Sequence, residues 1–86
     1  MNVSIELTLA PLQEDYETPI KDFIRALRKS PFEVQENPLS TQLYGELQPL
    51  MLFLTTAIAT SFDAITAGMI QLKIVKSNRS DYVPFN

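Results

Sequence analysis

The chain opens with a strict alternation of apolar and polar residues between Val3 and Ala10. Branched apolar side chains occupy every second position, and polar or small side chains occupy the positions between them. A period of two that is rich in such residues predicts a strand with one buried face. Pro11 has no N–H to donate to a sheet, so we expect the strand to end there.

The next periodic segment has the spacing of an amphipathic helix. Four apolar side chains share one face at intervals of three and four residues: Ile20, Phe23, Ile24 and Leu27. Asp15 or Thr18 is a possible N-cap, and Pro19 suits the first turn of the helix. Ser30 and Pro31 should end it. Acidic residues precede the stripe and basic residues follow it, as the helix dipole favours.

Two short alternating segments then predict a β-hairpin. Residues 32–35 alternate, Asn37-Pro38 is a turn signal, and alternation resumes from Leu39 to Glu46. The second segment has two faces, with Thr41, Leu43 and Gly45 opposite Ser40, Gln42, Tyr44 and Glu46.

A second helix is predicted between Leu47 and Ile65, and it is apolar around most of its circumference. One regular stripe within it consists of Leu47, Met51, Leu54, Ile58, Phe62 and Ile65. A helix of this kind is usually covered on more than one side. A last alternating strand is predicted from Gly68 to Lys76. The remaining residues, 77–86, have no period that predicts an element.

The order β-α-β-β-α-β predicts an α+β protein of the ferredoxin-like class, a four-stranded antiparallel sheet with two helices on one face. Residues 1–76 form this domain, and residues 77–86 form a C-terminal tail. The first and third strands are central, and the apolar sets of the first and last strands face the helices. The polar residues expected on the open face are Ser4, Glu6, Thr8, Gln42, Tyr44, Gln71 and Lys73.

Composition removes several classes of function. The 86 residues suffice for one domain and include no His, Cys or Trp. Zinc sites built on imidazole or thiolate, disulfides and His-based catalytic triads are therefore excluded. We expect no metal site and no cofactor. The net charge of −3 argues against a nucleic-acid partner, which requires a surplus of basic residues.

The sequence gives no sign of a membrane segment. The apolar stretch 47–62 is shorter than the roughly 20 residues that span a bilayer, and it contains a proline and several hydroxyl residues. The first residues alternate and carry a charge, unlike a signal peptide. The predicted location is the cytoplasm.

Four short motifs carry a resemblance to a known family. They are Ala10-Pro11-Leu12, Asp15-Tyr16, Asn37-Pro38-Leu39-Ser40-Thr41 and Gly45-Glu46. Within this order of elements, from about Val3 to Val75, the chain resembles the YkoF-like thiamine- or hydroxymethylpyrimidine-binding proteins and their small single-domain relatives. The resemblance implies a ferredoxin-like subunit, an assembly of such subunits or tandem repeats, and capture of a thiamine-like pyrimidine without catalysis. Relatives often have glycines near position 13 and after the first helix, where this chain has Gln13 and Ser30-Pro31.

Glu6 is the first candidate for a ligand contact, because it lies mid-strand on the open face. A carboxylate accepts hydrogen bonds from an aminopyrimidine, and it also offsets the positive charge of a thiazolium ring. The alternative is an ordinary solvated strand residue, or a cross-strand ion pair between Glu6 and Lys73.

Five further residues are candidate contacts. Tyr44 is placed to stack on a planar heterocycle, or else to act as an aromatic residue between subunits. Gln42 offers an amide, and Ser40 and Thr41 offer hydroxyls that match the family motif or that satisfy backbone groups at a turn. Tyr16 either borders the pocket or belongs to the cap of the first helix.

The sequence therefore predicts a non-catalytic homo-oligomer, a dimer or tetramer, that binds thiamine or hydroxymethylpyrimidine on the open face at a subunit interface. The alternative is a structural or regulatory assembly domain that binds no small molecule. An enzyme of the dimeric α+β-barrel type, with Glu6 as base, ranks last because such enzymes often place a His in the cleft.

Overall fold

A computed structural model describes residues 1–84 and has the predicted order of elements. The strands and helices are β1 (Asn2–Pro11), α1 (Glu17–Arg28), β2 (Glu33–Glu36), β3 (Thr41–Glu46), α2 (Leu47–Asp63) and β4 (Gly68–Lys76). The strands form one antiparallel sheet in the order β2-β3-β1-β4. The α+β, ferredoxin-like prediction is confirmed, and β1 and β3 are the central strands.

The register of the sheet separates an apolar face from a polar one. Ile5 on β1 lies opposite Leu43 on β3 and Ile74 on β4. Because side chains alternate along a strand, this pairing places the three on one face. The same alternation gathers the predicted polar set on the other face, which we call the open face: Ser4, Glu6, Thr8, Gln42, Tyr44, Gln71 and Lys73.

The core lies between the central strands and the two helices. Its most completely buried side chains are Ile5, Leu7, Leu27, Leu43, Leu50 and Leu54. They come from β1, β3, α1 and α2 and form one cluster, so both helices cover the same face of the sheet. The two helices pack on each other, and on the sheet α1 contacts mainly β1 and α2 mainly β3. The apolar face of β4 therefore extends beyond the helices, and Leu72 and Ile74 remain 37% and 44% exposed.

The most buried face of α2 is not the regular apolar stripe described from the sequence. Its buried face consists of Leu50, Leu54, Ala57 and Ser61. Leu54 is the only fully buried member of the predicted stripe, and Phe62 is exposed. Most other members of the stripe, Leu47, Met51, Ile58 and Ile65, are partly buried against the core. A helix that is apolar nearly all round gives no strong preference for one face, so the stripe alone did not identify the most buried one. The helix also ends at Asp63, two residues before the predicted end.

The start of α1 also differs from the prediction. Tyr16 is the N-cap residue, and no side chain makes a capping hydrogen bond. The proposed caps, Asp15 and Thr18, were therefore wrong, although Pro19 lies in the first turn as expected. Glu17 in the first turn and basic residues in the last turn complement the helix dipole.

The helices are too short or too polar for a bilayer: within residues 1–84, none has the length and apolar character to cross one. The cytoplasmic location stays a prediction. So does the division into residues 1–76 and a tail of residues 77–86, whose last two residues lie outside the described part of the chain.

Candidate functional site

Glu6 lies at the centre of the open face, where hydrogen bonds and charges from both neighbouring strands converge on it. It is paired with Gln42 on β3 and with Lys73 on β4. The hydroxyl of Ser40 donates to Glu6 Oε2 at 2.9 Å, and Gln42 Nε2 in turn donates to Ser40 Oγ at 2.7 Å. On the other side, Lys73 Nζ lies 3.6 Å from Glu6 Oε1. The carboxylate is thus oriented from both sides.

The β2–β3 turn supports this arrangement through Asn37. Its side-chain carbonyl accepts hydrogen bonds from the backbone N–H groups of Leu39 and Ser40, both at 3.1 Å. This pattern is the usual way in which asparagine stabilises a tight turn. The amide nitrogen of Asn37 also donates to Gln42 Oε1 at 3.2 Å. A continuous chain of hydrogen bonds therefore runs from the turn to the Glu6 carboxylate.

The surroundings of Glu6 favour its ionised form. The hydrogen bond from Ser40 is the main reason that the pKa of Glu6 lies below its ordinary value, and Lys73 and Gln42 lower the pKa further. Together these effects outweigh the opposing effect of burial, and 43% of the side chain remains exposed. Glu6 therefore presents a negative charge that a ligand in solution can reach. The cross-strand ion pair with Lys73, the predicted alternative, is present as well.

Two open depressions meet at Glu6. The larger, of about 390 Å³, is lined by Glu6, Thr8, Gln71, Leu72 and Lys73. The smaller, of about 170 Å³, is lined by Ser4, Ile5, Glu6, Gln42, Tyr44, Lys73, Val75 and Arg79. The carboxylate and the ammonium group of the ion pair are shared by both. The centre of the open face is therefore concave and contains both signs of charge.

The tail closes one end of the smaller depression. Ser4 Oγ donates to the backbone carbonyl of Ser77 at 2.8 Å and accepts from the backbone N–H of Arg79 at 2.8 Å. Farther along, Gln35 Nε2 on β2 donates to the carbonyl of Ser80 at 3.0 Å. The tail thus leaves β4 and crosses the open face toward the opposite edge strand. Ser77 makes this change of direction with φ of 101°.

Tyr44 is less accessible to a ligand than its position on the open face indicates. The tail binds Ser4 on one side of Tyr44 and Gln35 on the other, and the tyrosine is only 7% exposed. Its hydroxyl donates to Gln35 Oε1 at 3.3 Å. Burial, with the negative charges of Glu33 and Glu6, raises the pKa of Tyr44, so the phenol stays protonated. Tyr44 forms a wall of the smaller depression and has little free ring surface for stacking.

Two predicted site residues are not brought together with Glu6. Thr41 pairs with Leu7, is buried, and points to the helix-covered side of the sheet. The pleat requires this, because Thr41 follows Ser40 directly and successive side chains alternate. Thr41 instead lines a separate depression of about 180 Å³ beside α1. Tyr16 is exposed at the start of α1, away from the open face.

Several residues of the site were not predicted. Asn37 was recognised as a turn residue and as part of a family motif but not as a partner of Gln42, although an asparagine at this point of a hairpin signals its bonds within the turn. Ser4 was expected on the open face, but its bonds to the tail were not. Gln35 and Arg79 take part through the same path of the tail, for which the sequence contains no periodic signal. Within residues 1–84 no group of three or more acidic side chains gathers to hold a metal ion.

The chain is similar in fold to several solved structures. A Thermotoga maritima protein, provisionally assigned to thiamine biosynthesis or salvage, shares 18% identity over 90% of this chain and 85% of its own, with a TM-score of 0.82. A Streptococcus pneumoniae protein shares 25% identity over 91% and 89%, with a TM-score of 0.84. A domain of unknown function, DUF77, from Bacillus cereus shares 19% over 96% and 83%, with a TM-score of 0.76.

These likenesses extend over nearly the whole chain, and they establish its fold. No family model matches the sequence. No curated protein is significantly similar to it in sequence. The resemblance to YkoF-like proteins agrees with the fold of these structures, and membership of that family stays a prediction.

Proposed function

We propose that this protein binds a thiamine-like aminopyrimidine on the open face, without catalysis, and that Glu6 is the principal acceptor. The observation that supports the proposal is an ionised, accessible carboxylate where two depressions meet, held in position by Ser40. The provisional assignment of the Thermotoga maritima protein to thiamine metabolism and the resemblance to YkoF-like proteins support the same class of ligand.

The chemistry of Glu6 suits this ligand. The exocyclic amine of an aminopyrimidine donates hydrogen bonds, and those to a charged acceptor are the stronger ones. The contact between Lys73 Nζ and Glu6 Oε1, at 3.6 Å, is longer than a direct hydrogen bond, and Lys73 is well exposed. A bound amine or thiazolium ring can therefore replace Lys73 at little cost. The side-chain amide of Gln42 is the nearest further polar contact.

The proposal includes a homo-oligomer that assembles along β4. This strand of nine residues is an edge of the sheet, so one side of its backbone has no partner strand within residues 1–84. Its exposed apolar side chains are Met69, Leu72, Ile74 and Val75. Long apolar edge strands are the parts of a sheet that most readily pair with another chain. β4 also lines the larger depression, so a second copy there would place the ligand beside a subunit interface.

A second candidate function is an assembly domain without a ligand. The same exposed edge of β4 favours it, and the ion pair between Glu6 and Lys73 then serves only to join two strands. Oligomerisation is common to both candidates, so the binding of a small molecule distinguishes them.

Calorimetric titration with thiamine and with hydroxymethylpyrimidine tests the proposal. We expect binding by the native protein, at least tenfold weaker binding by Glu6→Gln, and nearly the same melting temperature for both. Glu14→Gln removes the same charge from an exposed position before α1 and should bind like the native protein. The absence of heat at millimolar ligand, together with an unchanged melting temperature, would favour the assembly domain.

A further inference from the structure

A cleft of about 310 Å³ lies between α1 and α2, on the side of the sheet away from Glu6. Small side chains at the helix contact leave this space: Ala26 on α1, and Ala57 and Ala64 on and beside α2. The rings of Phe23 and Phe53 form part of its walls. The volume is at the lower limit of known small-molecule pockets, which begin at about 300 Å³.

Ser61 is the unusual member of this lining. It lies on the buried face of α2, one turn beyond Ala57, and is only 9% exposed. Its hydroxyl oxygen is, among residues 1–84, the only buried side-chain polar atom without a hydrogen-bond partner. A buried hydroxyl without a partner lowers stability, whereas an alanine in the same place would not. Ser61 lines the apolar cleft, and a ligand bound there supplies the missing partner when the hydroxyl, which has almost no accessible surface, turns toward the cleft.

The cleft suits an uncharged molecule. The lining contains one ionisable side chain, Asp22, which is exposed and already paired with Arg25 at 3.2 Å. The other polar lining residues, Thr56 and Thr60, are exposed. Apolar walls with one convergent polar group are the usual composition of a site for a small, largely apolar ligand.

We propose that the cleft between α1 and α2 binds a small, flat, uncharged molecule that carries one polar group, and that this group forms a hydrogen bond with Ser61 Oγ. The site is separate from the open face. Its occupant differs in charge from thiamine, and the proposal does not depend on the function proposed for Glu6.

Phenol and toluene are suitable probes, because they differ by a single hydroxyl. We expect both to shift the backbone amide NMR signals of Ala57 and Ser61, while the signals of Glu6 and Gln42 stay unchanged. Phenol should bind at least threefold more tightly than toluene, since only phenol can bond to the serine. In Ser61→Ala this preference should disappear, and the melting temperature should stay equal or rise.

Ala64→Leu is the complementary variant, since it narrows the cleft at the end of α2 without removing the hydroxyl of Ser61. It should weaken the binding of both phenol and toluene. The proposal is overturned if neither probe shifts the cleft signals, or if the shifts occur on the open face. It is also overturned if Ser61→Ala melts at a lower temperature, because the hydroxyl would then already have a partner. The amide signals of the cleft residues could instead change when the protein is diluted and stay constant when a probe is added. That result would identify a second copy of the chain as the occupant and would also overturn the proposal.

Discussion

The two hydrogen bonds of Ser4 are expected to hold the tail across the open face. Ser4 is only 7% exposed, and its hydroxyl both donates to Ser77 and accepts from Arg79 at 2.8 Å. A hydrogen bond of this kind contributes about 1 kcal/mol net, so Ser4→Ala should weaken docking of the tail by about 2 kcal/mol. That free energy corresponds to a change of roughly 30-fold in the ratio of docked to open tail.

The backbone at Ser77 makes the tail sensitive to this loss. A non-glycine residue at φ of 101° is in a disfavoured region, at a cost of about 1–3 kcal/mol. The bonds of Ser4 offset a cost of that size, so without them the balance shifts toward an open tail. Ser77→Gly should have the opposite effect and favour the docked tail, because glycine adopts this conformation without strain.

Hydrogen exchange of the Arg79 amide measures the docking directly, since this N–H donates to Ser4 Oγ. Exchange should be faster by at least tenfold in Ser4→Ala, and the ring of Tyr44 should become accessible to solvent. Thr8→Ala is the matched control, because it removes a hydroxyl from the same strand and face whose bond goes to Leu39. Exchange less than threefold faster, or equally faster in the control, would refute the assigned role of Ser4.

Two further predictions concern the charge of Glu6 and the edge of β4. Ser40→Ala should raise the pKa of Glu6, which carboxyl NMR can follow. Because the pKa of Glu6 is lowered in the native protein, the stabilisation from its ionised carboxylate is complete above about pH 4.5. That stabilisation disappears as the pH falls through the lowered pKa. An unchanged pKa would contradict the role of Ser40. Ile74→Lys should reduce the oligomer mass in size-exclusion chromatography with light scattering, whereas Leu39→Lys, on the exposed turn, should not. A monomeric native protein would disprove assembly along β4.

The fold could be predicted from the sequence because its strands alternate strictly. In β1 and β4 the period of two fixes which side chains face the helices, and it placed Glu6 and Lys73 on the open face correctly. The face that α2 buries could not be predicted, since Leu50 and Met51 are equally apolar and only the packing partners distinguish them. Ser61 was therefore not recognised as a buried residue.

The path of the tail was beyond prediction for a different reason. Its contacts are single hydrogen bonds between residues far apart in sequence, such as Ser4 with Arg79 and Gln35 with Ser80. Bonds of this kind leave no periodic pattern. As a result the open face was expected to be bare, and Tyr44 was expected either to stack on a ligand or to lie between subunits. The structure instead covers Tyr44 and adds Arg79 to the lining of the smaller depression.

The neighbouring side chains of Ser40 and Thr41 do not both face Glu6, although both residues line the depression beside α1. Ser40 bonds to Glu6 on the open face, whereas Thr41 is buried on the helix side beside Leu7. Ser40 orients the accessible carboxylate of Glu6 on the open face. Thr41 is buried and, among residues 1–84, lies beside no charged side chain of that face. An aminopyrimidine is therefore expected beside Ser40 and Glu6, and loss of the Thr41 hydroxyl should leave its binding unchanged.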